Sequence, residues 1–178
     1  MGQGRNQMDE LLFCDYFDRI VGQPIDYIGR VIDLLNIGIG DSMEVLDRKG
    51  RTVKKSTYSL HIQSAWRIVN PRRKEILLVY SDFYSPREGI EDDQNFNWRV
   101  KGDNLFDQKT ENYLKKTAPI YIESYEVNIW GDLLLVFSNG DRLEVFVDVS
   151  DDSECWRIFK SECEEPHLVL TGHGIVLG

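Results

Sequence analysis

A chain of 178 residues, 42% hydrophobic and 29% charged, with a formal net charge of −9, has the size and composition of one domain that buries a core without disulfide or metal support. Its three cysteines, Cys14, Cys155 and Cys163, are odd in number and irregularly spaced, which excludes a disulfide framework and predicts reduced thiols in the cytoplasm. Residues 1–89 hold 13 Lys+Arg against 12 Asp+Glu, residues 90–178 hold 8 against 18; so acidic a second half repels phosphate backbones, so no nucleic-acid partner is expected, and it suits a basic protein partner. The polar first ten residues lack the apolar region of a signal peptide, and no run approaches the ~18 apolar residues of a membrane span, so no membrane partner is expected.

In chain order, Leu12, Phe13, Tyr16, Phe17 and Ile20 recur at helical spacing and predict a helix over residues 9–21, stopped by Gly22 and Pro24. Cys14 falls among these aromatics and is expected to pack. Residues 25–39 suit a buried helix or strands, and Gly29, Gly38 and Gly40 favour strands. A basic turn at 47–56 leads into a strand over Tyr58–Val69, in which Tyr58, Leu60 and Ile62 alternate. Asn70-Pro71 turns the chain into a short strand at 76–80, and residues 84–104 form a long polar loop. Asn104 is placed to cap a helix over 105–116, with Lys115 and Lys116 in its last turn.

The last third reads as strands at 120–129, 133–137, 143–147, 155–160 and 167–171. Asn139-Gly140 predicts a type I′ hairpin, which sets Val136 opposite Leu143 and Leu134 opposite Val145 on a buried face. The fold class is therefore α+β, a mainly antiparallel sheet with two short helices, in one domain over residues 1–178. There are too few helices between strands for parallel βαβ units.

The sequence also repeats a pattern. Residues 32–84 run through IDLLNIGIGD, Trp66-Arg67-Ile68 and ILLVYSDFY; residues 132–175 run through DLLLVFSNGD, Trp156-Arg157-Ile158 and HLVLTGHGI. The period is about ninety residues. In each copy Trp and Ile point to one side of a strand and the intervening Arg to the other. An internal duplication predicts two buried tryptophans related by an approximate two-fold axis, with a cleft between the halves.

Catalytic motifs are weak. His61, His167 and His173 lack the tight spacing of a zinc site, and Pro166 argues against a helix that would align Cys163 with His167, so no metal is expected. No serine sits in a nucleophile elbow and no glycine-rich phosphate loop is present, so no catalytic residue is assigned and no cofactor is expected. The nominees for a cleft that binds a small ligand or works as an enzyme are His61, Arg67 and Asp82. The distinctive feature is acidic: Asp148, Asp151, Asp152, Glu154, Glu162, Glu164 and Glu165 lie close together in sequence. They lack the alternation of a calcium loop, and the expectation is a single exposed docking face for a basic partner.

The run Tyr58–Ile68, YSLHIQSAWRI, followed by a strand ending in Asp82 and the aromatics Phe83 and Tyr84, resembles small uncharacterised bacterial sheet proteins. Some of these look like immunity proteins encoded beside polymorphic toxins. The resemblance spans roughly residues 20–172, implies no catalytic residues, and implies a stoichiometric binding protein with a toxin-like, basic partner.

Overall fold

Eleven strands in two antiparallel sheets, two helices and one 3-10 turn make up the computed structural model, which describes residues 7–89, 96–117 and 119–178. Helix α1 (Gln7–Phe17) is followed by β1 (Ile25–Val31), β2 (Leu34–Leu46), β3 (Thr52–Ile62), β4 (Ala65–Asn70), β5 (Glu75–Val79) and the 3-10 turn Tyr80–Tyr84. Helix α2 (Leu105–Thr117) opens the second series, β6 (Ile122–Val127), β7 (Leu133–Phe137), β8 (Arg142–Phe146), β9 (Glu154–Lys160), β10 (Leu168–Thr171) and β11 (Gly174–Leu177). One sheet has the order β1-β2-β3-β9-β10-β11, the other β5-β4-β8-β7-β6, and every pair is antiparallel. Part of the long polar loop lies outside the described residues.

The single strand expected over 58–69 is two. The alternation of Leu60 and Ile62 breaks at Gln63-Ser64, whose N–H groups both donate to Cys155 O (2.8 and 3.1 Å). The chain then crosses from one sheet to the other before Trp66. The first helix ends at Phe17, four residues short of the expected boundary, and Cys14, expected to pack, is exposed at the edge of the face that buries Phe13 and Phe17. The predicted cap on α2 is present: Asn104 Oδ1 accepts the Asp107 N–H at 2.9 Å.

The hairpin at Asn139-Gly140 has a different register from the one expected. Leu135 faces Leu143, Leu133 faces Val145, and Val136 faces Arg142. Only Gly140 takes positive φ (83°); Asn139 does not. Phe137 N–H donates to Asp141 O at 2.9 Å and Gly140 N–H to Phe137 O at 2.8 Å. This is a type I turn closed by a left-handed glycine, one residue longer than a type I′ loop. The extra residue moves the pairing by one, so Leu133, Leu135 and Phe137 enter the core while Leu134 and Val136 turn outward. Asp141, buried in this turn, accepts from Asn70 Nδ2 (2.6 Å), Tyr113 OH (2.9 Å) and Asn139 Nδ2 (2.8 Å). Those bonds tie the hairpin to β4 and α2.

One continuous core holds the buried faces of both sheets and the inner sides of both helices. Trp66 and Trp156 are 1% and 0% exposed. Phe13 and Phe17 of α1 pack on Trp156, and Phe106 of α2 packs on Trp66.

Exchanging β1–β5 with β6–β10 turns the order β1-β2-β3-β9-β10 into β6-β7-β8-β4-β5, the second sheet read from its other edge. The helices follow the same exchange, α1 lying beside β10 and α2 beside β5. The two series meet at an antiparallel bridge, Pro24 with Tyr121. There Ile25 N–H donates to Ile120 O (2.8 Å) and Ile122 N–H to Gln23 O (3.0 Å), each series giving the other the same bond. A duplicated chain would have this arrangement. Its correspondence reaches back through β1 and α1, before Ile32.

Candidate functional site

Strand alternation puts a polar row on the outer face of the six-stranded sheet. Leu35, Leu60 and Trp156 point into the core, so their neighbours Asn36, His61 and Arg157 point out. These three stand directly opposite one another, Asn36 with His61 on β2 and β3, His61 with Arg157 on β3 and β9. Beside them runs a groove of about 770 Å³ whose wall includes Asp26, Asn36, Ser56, His61, Phe159 and His167. It draws on both series of strands, β1–β3 from the first and β9 with the 161–167 loop from the second.

Phe159 is the centre of an aromatic cluster. His167 stacks on it with centroids 4.2 Å apart, and His61 meets it edge-on at 5.0 Å. Arg157 is held by Glu154 through Nε to Oε1 at 2.6 Å and through a second contact, Nη2 to Oε2. Its Nη1 is 3.4 Å from His167 Nδ1. Burial first, and then the nearby Arg157 charge, hold both imidazoles below the usual histidine range. At neutral pH each is uncharged and offers one N–H donor and one lone pair. Burial alone would raise the Glu154 carboxyl, but its bonds to Arg157 hold it lower than an ordinary glutamate.

At the other side of the groove Ser56 Oγ donates to Asp26 Oδ2 at 2.8 Å. Gly38 makes room for this bond, since a Cβ there would lie 2.1 Å from Ser56 Oγ. Asn36 Oδ1 is buried and has no hydrogen-bond partner among the described residues. An acceptor left so costs roughly 1–3 kcal/mol. The groove wall thus carries two neutral imidazoles, a hydroxyl at Ser59 and the Asp26 carboxylate, with the unpartnered Asn36 acceptor buried in it, a set of groups able to hydrogen-bond a polar ligand.

Compared with known proteins, the chain matches no family model, no curated protein and no solved structure.

The three nominated cleft residues do not converge. His61 lines the groove. Arg67 is on the outer face of the other sheet, 2.5 Å from Glu144 and over the Phe146 ring at 5.4 Å. Asp82 is buried in the 3-10 turn, where it accepts the Val79 N–H (3.0 Å) and pairs with Lys109 (3.1 Å). An acid–base pair requires hydrogen-bond reach, and each of these side chains is committed to a different neighbour.

The seven acids divide between the two ends of β9. Before it, Asp148 accepts the Ala65 N–H (3.0 Å), Asp151 caps the Ser153 N–H (2.9 Å), and Asp152 lies 2.9 Å from His173 Nδ1. All three residues are exposed. Glu154 departs from the expectation of exposure: its side chain is 14% exposed, turned along β9 to Arg157. After β9, Glu162 pairs with Lys55 (2.5 Å) and Glu165 with Arg19 (2.8 Å), while Glu164 is exposed. A seven-residue strand separates the two groups by roughly 20 Å, and local cations neutralise most of the second.

The alternation of β2, β3 and β9 was enough to place Asn36, His61, Arg157 and Phe159 on outward faces. Nothing local in the sequence signals that β3 pairs with β9, nearly a hundred residues later, and that pairing is what assembles the groove.

Proposed function

We propose that this chain is a stoichiometric protein-binding module of the immunity or inhibitor kind, which acts in the cytoplasm by docking an acidic end on a basic, toxin-like partner. The observation that carries this reading is the loop leading into β9. Asp148, Asp151 and Asp152 stand exposed there, and His173 is the only side chain of cationic type that contacts any of them among the described residues. They belong to a half-chain with 18 acids against 8 bases. Like charges held close repel one another; a cationic partner relieves this, is steered in from solution, and is blocked sterically once bound. Glu162 and Glu165, already paired, contribute less, so the docking face narrows to this loop, with Glu164 as an outlying charge.

The test uses the product of the adjacent gene, co-expressed and purified with the chain. Reversing Asp151 and Asp152 to Lys is expected to cut the association rate by about tenfold or more at low salt, with the dissociation rate and melting temperature unchanged. Physiological salt is expected to shrink that difference. An affinity indifferent to both the reversal and the salt refutes electrostatic docking.

A second reading, a small polar ligand in the groove, is favoured by one specific observation, the buried Asn36 Oδ1 without a partner. Its measurement is the imidazole proton shifts of His61 and His167 during titration with polar fragments. A ligand that moves both in the wild type and neither in Asn36→Ala supports it; shifts that survive the substitution count against it.

A further inference from the structure

The β6–β7 turn displays the two most exposed neighbouring apolar side chains among the described residues, Ile129 at 70% and Trp130 at 74%. Single exposed apolar residues are ordinary. This pair sits on a rigid mount. Asn128 Oδ1 accepts the N–H groups of Trp130 (2.9 Å) and Asp132 (3.1 Å), and Gly131 N–H returns to Asn128 O (3.1 Å). The turn is anchored below by Trp156 Nε1 donating to Gly131 O (3.0 Å), and at its side by Asp132 Oδ1 accepting the Val147 N–H (2.7 Å). That last bond places the turn next to Asp148 and the acidic loop. With the backbone that carries it fixed, Trp130 has only its own two side-chain torsions to lose on binding, which suits a binding anchor.

A receptor of matching chemistry exists elsewhere on the chain. Between β1 and α2 lies a pocket of about 780 Å³ with Ile28, Phe106 and Leu114 in its wall. Its cations, Arg30, Arg87, Arg99 and Lys101, outnumber its carboxylates, Glu88, Asp107 and Glu111, on a chain of net charge −9. Arg30 and Asp107 neutralise each other at 2.9 Å, and Glu111 is paired with Lys115 at 2.6 Å. This leaves Arg87, Arg99 and Lys101 against the single carboxylate Glu88, all exposed at the rim. Thr110 also lines the pocket. It is only 5% exposed, and its Oγ1 has no hydrogen-bond partner among the described residues. An indole entering the pocket brings an apolar plate to Ile28, Phe106 and Leu114 and an N–H donor at its edge.

We infer that a second copy of this chain is the occupant: Trp130 of one copy enters the basic-rimmed pocket beside α2 of the next, and the acidic loop around Asp148, Asp151 and Asp152 lies against Arg87, Arg99 and Lys101. Knob and pocket are different surfaces of one chain, so the contact is heterologous and repeats head to tail. A one-anchor interface of this size is weak, so association appears only as concentration rises. The inference stands independently of a foreign partner.

Sedimentation velocity of the purified chain over a range of concentrations, at low and physiological salt, is the test. The wild type is expected to grow in average mass with concentration, less so at higher salt. Trp130→Ala, which changes an exposed side chain, is expected to raise the apparent dissociation constant by about a hundredfold, as for an anchor residue; Arg87→Glu with Lys101→Glu is expected to do the same. The deciding experiment mixes those two variants. One retains the pocket and the other retains the Trp, so the mixture is expected to form a capped 1:1 dimer and nothing larger. A wild type that stays monomeric throughout, self-association that survives Trp130→Ala, or a mixture without the capped dimer each overturns the inference.

Discussion

Trp66 and Trp156 occupy equivalent places in the two series of strands, yet their indoles are served differently. Trp156 Nε1 donates to Gly131 O at 3.0 Å. Trp66 Nε1, just as buried, has no partner among the described residues. The difference lies in the equivalent turns. Gly131 takes φ of 95° between β6 and β7; Ile32 takes φ of 60° between β1 and β2. In the second series a glycine carbonyl turns inward to the indole. In the first, the Ile32 carbonyl accepts from Arg30 Nη1 at 2.9 Å, and Arg30 is itself locked to Asp107 on α2. A second substitution separates the outer faces: where Arg67 meets Glu144 across β4 and β8, Arg157 meets His61 across β9 and β3. Without an acid opposite, Arg157 turns to Glu154 on its own strand, and the space is lined by imidazoles. Equivalent backbone positions thus yield a plain ion pair on one sheet and a groove on the other.

Removing either ring is the largest perturbation of this comparison. Trp66→Ala and Trp156→Ala are each expected to cost on the order of 3–5 kcal/mol in denaturant unfolding, because both leave a cavity in the shared core. Trp→Phe separates them. Both lose some volume, but only Trp156→Phe breaks a hydrogen bond and strands a carbonyl, an additional ~1–2 kcal/mol. Equal losses for the two Phe variants would show that the Gly131 bond contributes nothing net.

The paired turns give the next effect in size. Gly131→Ala forces a side chain into left-handed backbone, and its Cβ would lie 2.3 Å from Leu170 Cδ2. The combined strain and overpacking are expected to cost roughly 2–4 kcal/mol. Ile32→Gly runs the other way. A β-branched residue at φ of 60° is strained, and the side chain is 59% exposed, so relief is expected to stabilise by up to about 1 kcal/mol after the flexibility of glycine in the unfolded chain is subtracted. Measured destabilisation by Ile32→Gly would mean that the exposed side chain holds the turn by packing.

Legibility in the sequence followed the range of the interactions. Strand identity, the Asn104 cap and the burial of both tryptophans depend on alternation or on contacts three or four residues away, and they could be read directly. The hairpin register could not, because Asn139-Gly140 is compatible with two loop lengths and only the φ of Asn139 distinguishes them. The break at Gln63-Ser64 was hidden by apolar alternation on both sides. Asn36, an unremarkable polar residue on β2, gains its interest only when β3 and β9 pair beside it. The acids were legible as charge but not as partners: Lys55 and Arg19, which neutralise Glu162 and Glu165, lie more than a hundred residues away in sequence.

The smallest expected effect is a pH dependence that arises from the replacement of an acid by His61. In the folded chain His61 and His167 are held below the ordinary histidine value of 6.5 by burial and by the Arg157 charge. The unfolded chain therefore binds more protons than the folded chain once the pH falls through about 6.5. Stability contributed by the neutral imidazoles is fully present above that pH and is lost as the pH drops toward their folded values. Glu154 and Asp107 are held low as well, so their contributions disappear too, but only further down, in the carboxylate range. A fall in unfolding free energy between pH 7 and 5 thus reports the histidines, and a further fall below about 4.5 reports the acids. Changing His61 to Glu recreates on the six-stranded sheet the pair that Arg67 and Glu144 form on the other. Such a variant is expected to flatten the upper part of the profile, leaving the share of His167, and to preserve the acid limb. An unchanged slope between pH 7 and 5 in the variant would assign that titration to His167 and remove His61 from the account.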